Sequence, residues 1–298
     1  MVLLTLAAAL TLAAAQQIDT TVTAGRGQRL QVNAYGGGVT VRSWNRNAVR
    51  VEATTSGSNR VEVSSSSVAV SVRTQGRHGP PTDVVLRISV PVWMPLSLSG
   101  VHTDAKIEGT RAPISVETVE GEVNVTGGDG LISLRSVQGS VALHGARGRI
   151  SVNSVNEDVQ VTNSTGEIMA ETVNGEIALE GVDAATVDAS TVNGDISYAG
   201  PIRDGGRYSL STHNGDITLT VAEGSSANVA VSTFNGEFES EFPVPLRGTR
   251  KGQGFNFTLG SGSAQVTLES FQGTIQLVRP GSAKERERRE RHNSHDDN

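Results

Sequence analysis

The sequence predicts an all-β protein built as a β-solenoid (a single-stranded β-helix or β-roll-like fold), in which the chain winds through stacked coils of about 18–21 residues. Three observations indicate this fold class. Glycines recur every nine residues, apolar residues alternate along short runs, and the same polar residue types return at the same place in each repeat. The composition agrees, because 34 glycines and an aromatic content of 4% are typical of many short strands and turns.

The chain opens with an apolar run, MVLLTLAAALTLAAAQQ, that precedes the repeats. The run from Val2 to Ala15 is too short to span a bilayer and ends in an Ala-x-Ala pattern, as a secretory signal peptide does, although the usual Lys or Arg is absent. We therefore predict a signal peptide at residues 1–15 and an exported protein, in the periplasm, on the cell surface or secreted. The mature chain is predicted to have no transmembrane segment. An N-terminal membrane anchor or a disordered start is the alternative.

Residues 16–98 contain strand patterns without the repeat, and we predict that they form a β cap region at one end of the solenoid. The stretches QRLQVNAYGGGVTVRSWNRNAVRVEATT and DVVLRISVPVWMPLSLSG alternate apolar and polar residues, which indicates half-buried strands. The stretch GRHGPP between them is predicted to be a loop. A cap is expected because the exposed edge of a terminal strand promotes aggregation.

Residues 99–280 carry the repeat and are predicted to be the solenoid domain. Glycines fall nine or eighteen residues apart, at Gly121, Gly130, Gly139, Gly148, Gly166 and Gly175. Every second nine-residue segment carries a related sequence motif, such as ETVEGEVNV, RSVQGSVAL or ETVNGEIAL. The complete unit is therefore 18 residues long and contains two strands of about five residues and two bends. Later units are 19 or 21 residues apart, so insertions enter there.

Two architectures are compatible with Asn-Gly bends between apolar strands. Asn-Gly is typical of the two-residue hairpins of an antiparallel meander, whereas in a solenoid equivalent residues stack and form ladders. We favour the solenoid, because only stacking explains columns of identical residues. The corner columns are Asn156, Asn174, Asn193, Asn214 and Asn235, followed by Gly175, Gly194, Gly215 and Gly236. A hydroxyl column runs from Thr118 to Ser270, and a valine column runs from Val119 to Val192, with Val192 expected in the core.

These features together resemble a known family. An exported leader, a strand-rich opening, the segment VPVWMPLSLSG, serial T-V-N-G-[DE]-I phrases and a late FNGEFES are similar to the bacterial "putative adhesin" family over roughly residues 30–280. The serial Asn-Gly-acidic phrase is the most specific of these. The resemblance implies an extracytoplasmic β-solenoid domain of unknown function with an adhesin-like role, and it supplies no catalytic residues.

The candidate binding residues are the acidic side chains that follow the corner glycine or its substitute. They are Asp158, Glu176, Asp195, Asp216 and Glu237. In a solenoid they would form an outward row of like charges one strand spacing apart, and neighbouring carboxylates repel each other by about 1 kcal/mol in water. A solvated edge is the simplest interpretation. A row that gathers divalent cations or a basic partner surface is the alternative.

Signals for catalysis, metals and cofactors are weak. The chain has no cysteine, and in GGDGLISL, its nearest approach to a calcium-binding repeat, Ile132 stands where the ligand Asp is required. The repeated carboxylates include no pair singled out in the way that a glycosidase requires. We therefore predict no enzyme activity, no metal site and no cofactor. The net charge of −6 argues against a nucleic-acid partner.

The sequence predicts a non-enzymatic, exported solenoid that serves as an adhesin-like or structural surface at the cell envelope. Its partner is expected to be an envelope protein or a surface glycan, and the sequence does not indicate an oligomeric state. A carbohydrate-binding or carbohydrate-processing β-helix is the alternative. Residues 281–298, GSAKERERRERHNSHDDN, are predicted to be a disordered, charged tail.

Overall fold

The structure is a computed structural model and describes residues 16–56, 59–76, 79–81, 83–244 and 254–281. The predicted signal peptide and nearly all of the predicted charged tail lie outside the described residues. Every regular element within these ranges is a β-strand. The described part of the chain contains no helix long and apolar enough to cross a membrane.

Seven strands precede the regular repeat, and two of them are already complete coils. The strands are β1 (Gln16–Thr23), β2 (Arg29–Trp44), β3 (Ala48–Thr55), β4 (Arg60–Ser65), β5 (Ala69–Gln75), β6 (Val84–Pro91) and β7 (Leu96–Thr110). Strands β2 and β7 run parallel along both halves, with Leu30 beside Leu96 and Val39 beside Ala105. Coil geometry thus extends into the region that the sequence assigns to the cap, and the boundary between residues 98 and 99 stays a prediction.

The N-terminal end is covered by antiparallel strands. Strand β1 pairs with β3, β3 pairs with β6, and β4 pairs with β5, all antiparallel. Strands β5 and β6 in turn lie parallel to the two halves of β2.

Each following coil adds one short strand to each of two stacks. The strands are β8 (Ile114–Glu117), β9 (Val123–Gly127), β10 (Asp129–Arg135), β11 (Val141–His144), β12 (Arg147–Asn153), β13 (Val159–Thr162), β14 (Thr165–Glu171), β15 (Ile177–Glu180), β16 (Asp183–Asn193), β17 (Ile196–Ala199), β18 (Arg207–Asn214) and β19 (Ile217–Thr220). The even-numbered strands form the first stack and the odd-numbered strands the second, each pairing in parallel with the strand two places along.

The register of these pairs confirms the solenoid and shows that the meander alternative is wrong. Ile132 of β10 lies beside Ile150 of β12, and Val141 of β11 lies beside Val159 of β13. Both pairs join residues 18 positions apart, which is the length of the sequence repeat. The strands at the Asn-Gly phrases are therefore parallel neighbours from successive coils.

The core lies between the two stacks and follows from the alternation within each strand. In β10, Ile132 and Leu134 are fully buried while Ser133 between them is not, and in β11 Val141 and Leu143 are buried in the same way. Burial of each aliphatic side chain stabilises the fold by about 1.5–3 kcal/mol. Because each coil contributes such pairs from both sides, the core is a continuous column along the axis.

The last coils do not stack in the order of the chain. The remaining strands are β20 (Ala227–Thr233), β21 (Phe238–Ser240), β22 (Phe255–Leu259), β23 (Ala264–Gln272) and β24 (Ile275–Val278). Strand β23 pairs with β18 on one side and β20 on the other, and β24 lies likewise between β19 and β21. The stretch QVTLESFQGTIQLVRP, which comes last in the sequence and would be expected to close the repeat, therefore lies inside the stack. The terminal coil is β20–β21, and antiparallel β22 covers its first-stack edge.

Candidate functional site

The candidate site is the bend that leads from the first stack to the second, which we call the Asn-Gly corner. It consists of eight five-residue bends, which in spatial order are residues 118–122, 136–140, 154–158, 172–176, 191–195, 212–216, 270–274 and 233–237. Since the coils are in parallel register, the residues at each of the five positions form a row along the solenoid axis.

In seven of the eight bends the first position holds a buried hydroxyl that closes the bend; the exception is Thr233 in the terminal coil, whose hydroxyl has no hydrogen-bond partner among the described residues. Thr212 Oγ1 donates to the carbonyl oxygen of Gly194 in the preceding coil (2.9 Å), and Ser270 Oγ donates in the same way to Gly215 (3.0 Å). A buried carbonyl group without a partner would be costly, so a side-chain donor is needed here. This requirement explains the hydroxyl column seen in the sequence.

The second position is exposed, and here the sequence prediction for Val192 is wrong. Val192 is 43% exposed and Val119 is 44% exposed. The reason is the change of side at the bend: Thr191 takes the inward position, so the residue after it points outward. We call this row the apolar stripe; it comprises Val119, Val137, Val155, Val173, Val192, His213, Phe271 and Phe234.

Three rings form the C-terminal end of the apolar stripe. The His213 and Phe271 rings stack with centroids 4.6 Å apart, and Phe271 stacks on Phe234 at 4.9 Å, both nearly parallel. Phe234 is 55% exposed. Sequence reasoning missed these residues, although STHNGDIT, ESFQGTIQ and STFNGEFE place a ring at the position that valine occupies elsewhere.

The third position carries a ladder of amides. Asn174 Nδ2 donates to Asn156 Oδ1 (3.1 Å), Asn193 to Asn174 (2.9 Å) and Asn214 to Asn193 (2.8 Å). The structure brings these four side chains together. Asn235 does not follow Asn214 directly, because Gln272 of the inserted coil lies between the two.

The fourth position brings the backbones of neighbouring coils close together. A Cβ atom at Gly194 would clash with the carbonyl oxygen of Gly175, and one at Gly215 would clash with that of Gly194. Gly236 faces Gly273 in the same way, so the inserted coil again separates residues that the sequence placed side by side. The corner glycines are thus required by close packing.

The fifth position holds the predicted acidic residues, and their aspartates join successive coils. Asp158 Oδ1 accepts the backbone N–H of Glu176 (2.8 Å), and Asp195 Oδ1 accepts that of Asp216 (2.7 Å). Asp216 Oδ1 accepts the N–H of Thr274, a residue that separates Asp216 from Glu237. Four of the five predicted residues, Asp158, Glu176, Asp195 and Asp216, therefore lie in successive coils, and we call them the acidic row. The coil that contains Thr274 separates Glu237 from this row.

The charge of the acidic row is not balanced by ion pairs. Burial, and then the carboxylates of Asp158 and Asp195, raise the pKa of Glu176 above its ordinary value. Within the described ranges, no Lys, Arg or His forms a salt bridge with any of the five predicted acidic residues. No group of three or more His, Cys, Asp or Glu side chains in this part of the chain is arranged to hold a metal ion.

Acidic groups near the N-terminal end have a different environment. The hydrogen bond from Arg50 holds the pKa of Asp19 below its usual value, and Lys106, followed by Arg42, does the same for Glu108. The salt-bridge distances are 2.7 Å for Arg50–Asp19 and 2.9 Å for Lys106–Glu108. The five predicted acidic residues of the corner thus differ from these two N-terminal carboxylates, which are held by basic side chains.

These observations define a class: an all-β solenoid protein whose repeats display identical residue types along one edge. The chain belongs to the Toastrack family (DUF4097), a domain of unknown function whose model matches residues 10–278. The Toastrack domain has a β-solenoid-like fold, in agreement with the fold class predicted from the sequence.

Similar solved structures come from Bacteroides, Parabacteroides and Clostridium species. One is a putative adhesin from Bacteroides fragilis (12% identity, TM-score 0.45), with 88% of this chain and 97% of that chain covered. A second is a putative lipid binding protein from Parabacteroides distasonis (9% identity, TM-score 0.44), with 88% and 96% covered. A third is a putative cell adhesion protein from Clostridium sporogenes (8% identity, TM-score 0.25), with 89% and 100% covered. No curated protein matches the chain.

Proposed function

We propose that the protein is a non-enzymatic, exported attachment protein that binds a partner at the cell envelope through the Asn-Gly corner. The observation that carries this proposal is the parallel course of the apolar stripe, the amide ladder and the acidic row over successive coils. A weak contact made at one coil can be repeated at the next, about 4.8 Å away. Repeated weak contacts on one rigid body add up to high avidity.

The distribution of exposed apolar side chains supports this choice of surface. Of the large hydrophobic residues that are exposed in the described part of the chain, five lie on the apolar stripe: Val119, Val173, Val192, Phe234 and Phe271. The other four are scattered over other faces: Val68, Val85, Leu131 and Met169. Isolated exposed apolar residues are ordinary, whereas a contiguous row indicates an interaction site.

Two further features support the non-enzymatic and exported character of the proposal. Catalysis needs one distinctive place, but the chemistry of the corner is repeated from coil to coil, and no carboxylate pair is set apart from the others. Export is supported by the signal-peptide pattern of residues 1–15 and by the absence of a second apolar run of that length.

The test compares binding of the purified chain to isolated envelopes of the producing bacterium. A corner variant, Val173→Thr/Val192→Thr/Phe271→Thr, removes apolar surface while keeping β-compatible residues. We expect it to lose about tenfold or more in apparent affinity. A control variant, Leu131→Thr/Met169→Thr, removes exposed apolar side chains elsewhere and should bind as the native chain does.

Equal binding by the corner variant and the native chain would overturn the proposal. A glycan array probed with the same proteins addresses the carbohydrate alternative. Selective binding of a glycan class that persists in the corner variant would favour that alternative and a different face.

A further inference from the structure

We infer that the partner of the Asn-Gly corner is a cationic amphipathic α-helix of another protein, lying along the apolar stripe with its Lys and Arg side chains beside the acidic row. This inference rests on the proposed function, since it names the chemistry of the partner at the same surface. It draws on the shape of the stripe, the charge on its two sides and the position of the stacked rings.

The shape of the apolar stripe fits a helix. The stripe is one side chain wide and extends over eight coils, or about 34 Å at a spacing of about 4.8 Å per coil. A helix of about 22 residues has this length, and its pitch of about 5.4 Å brings one apolar position per turn close to each successive coil. An extended strand repeats its same-side residues about every 6.7 Å and falls out of register sooner.

The charge around the stripe indicates a cationic partner. The acidic row and Glu122 lie three positions after it, and exposed Glu117, Glu171 and Glu269 lie two positions before it. Arg135 is the basic residue on that second side. A partner that covers the stripe therefore meets carboxylates on both flanks, and Lys or Arg side chains would neutralise them.

The same charge disfavours the other occupants. A second copy of this chain, placed stripe to stripe, would bring acidic row against acidic row, and like charges across an interface are repulsive. An anionic lipid surface would be repelled for the same reason. Residues 284–298 of this chain contain basic side chains but no apolar residue, so they cannot cover the valines and phenylalanines.

The stacked rings are the expected anchor of the complex. Phe271 lies between His213 and Phe234, so its ring is held in place and loses little freedom when a partner binds. Aromatic residues contribute the most binding energy in many interfaces. We therefore expect substitution of Phe271 to weaken binding more than substitution of a single stripe valine.

The experiment measures fluorescence anisotropy of a labelled synthetic peptide of about 22 residues titrated with the full-length chain. The peptide contains only Leu and Lys, with Leu at helical spacing (i, i+3, i+4, i+7). One control peptide has the same composition with Leu and Lys alternating, and a second has Glu in place of Lys. We expect the helical cationic peptide to bind about tenfold or more tightly than either control, with an affinity that falls as salt rises.

Variants of the chain locate the site. Val192→Thr/Phe271→Thr should weaken binding about tenfold. Asp195→Asn/Asp216→Asn keeps the amide oxygen that can accept the N–H of the next coil, so it should reduce affinity at low salt and flatten the salt dependence. Leu131→Thr and Glu180→Gln change exposed residues outside the corner and should leave the affinity unchanged. A thermal melt of each variant checks that it is folded.

Several results would overturn the inference: tighter binding of the alternating or the acidic peptide, no binding of the cationic helical peptide, or affinity that the corner variants do not change. These results can be separated from failure of the proposed function. If the corner variant loses envelope binding while the peptide does not bind, the helix is wrong and attachment through the corner stands. If neither measurement depends on the corner, both are overturned.

Discussion

The two bends of each coil differ in how they are built. The Asn-Gly corner spans five residues in all eight coils. The opposite bend has two residues at 145–146, 163–164 and 181–182, but seven at 200–206 and six at 221–226. The 21-residue repeats are therefore lengthened at the opposite bend, and the 19-residue repeat by a β-bulge at Ala185 within β16.

The difference lies in the side chains, because rows of equivalent groups bond from coil to coil along the Asn-Gly corner, whereas the opposite bend has only single side-chain bonds to its neighbours. At the Asn-Gly corner, hydroxyl, amide and carboxylate groups all bond to the adjacent coil, so an extra residue would disturb several bonds at once. The opposite bend combines local turns with single bonds to the next coil: Asn163 and Gly181 adopt left-handed backbone conformations, with φ of 49° and 59°, and the Ala146 N–H donates to Ser164 Oγ (3.2 Å). In the longer loop, the Tyr208 hydroxyl accepts the N–H of Arg203 (2.8 Å). The constant length of the Asn-Gly corner thus reflects the rows of side-chain bonds that join its successive coils.

An inserted residue should separate the two bends most clearly. One glycine placed between Asn193 and Gly194 displaces the donors and acceptors that join this coil to the next. At about 1 kcal/mol for each of three hydrogen bonds, we expect the free energy of unfolding to fall by about 3 kcal/mol or more. One glycine between Asp204 and Gly205 should cost only about 1 kcal/mol, because lengthening a loop costs little and only the exposed bonds of these two residues to Ser263 are disturbed.

Urea unfolding followed by circular dichroism measures both insertions. Similar losses at the two bends would contradict the distinction between a bend joined by continuous rows of side-chain bonds and one joined at single positions.

Thr212→Val tests the hydroxyl row of the Asn-Gly corner. Valine keeps the shape and the strand preference but removes the donor to the Gly194 carbonyl oxygen, leaving a buried acceptor unsatisfied. We expect a loss of about 1–3 kcal/mol in the urea-derived free energy of unfolding. Thr212→Ser keeps the donor and should cost less, and Thr218→Val in β19 should change stability by less than about 0.5 kcal/mol. A neutral Thr212→Val would show that the hydroxyl is dispensable.

Glu176→Gln should have the smallest effect, and its sign depends on pH. The pKa of Glu176 is raised in the folded state, so its ionised form destabilises the fold above that pKa, and the penalty is relieved as pH falls through it. After solvent screening we expect glutamine to raise the melting temperature by about 2 °C at neutral pH. The gain should disappear near about pH 4. Glu180→Gln, in the second stack, is the control, and an equal gain at both pH values would contradict the charge-based explanation.

The regular coils could be predicted from the sequence because one period sets both the strand length and the register. Equal spacing placed Ile132 beside Ile150 without any knowledge of the turns. The side on which a corner residue lies could not be obtained in this way. Alternation breaks at the bend, and an apolar residue such as Val192 fits either an inward or an outward position in the pattern.

The spatial order of the last coils was also hidden in the sequence. Gly194, Gly215 and Gly236 are spaced equally at 21 residues, so nothing in the period indicates that another coil lies between the last two. The insertion moves Asn235 and Glu237 one coil further along the columns to which the sequence assigned them. It also places Phe271 between two rings that would otherwise be neighbours.

The inserted coil has a consequence for how the chain reaches its final form. As the chain is synthesised, each coil up to the one that contains β19 can stack on the coil before it. The strand that pairs with β18 on its other side is β23, which is synthesised much later. Ser270 of β23 bonds to Gly215 across 55 positions. Until β23 has been synthesised, the segment STFNGEFE can occupy the position beside STHNGDIT that ESFQGTIQ takes in the final structure. Strand β20 pairs with both β22 and β23, so these three strands form a small sheet of their own that can dock as a unit. We therefore expect assembly to proceed step by step along most of the chain and to end in one concerted closing step.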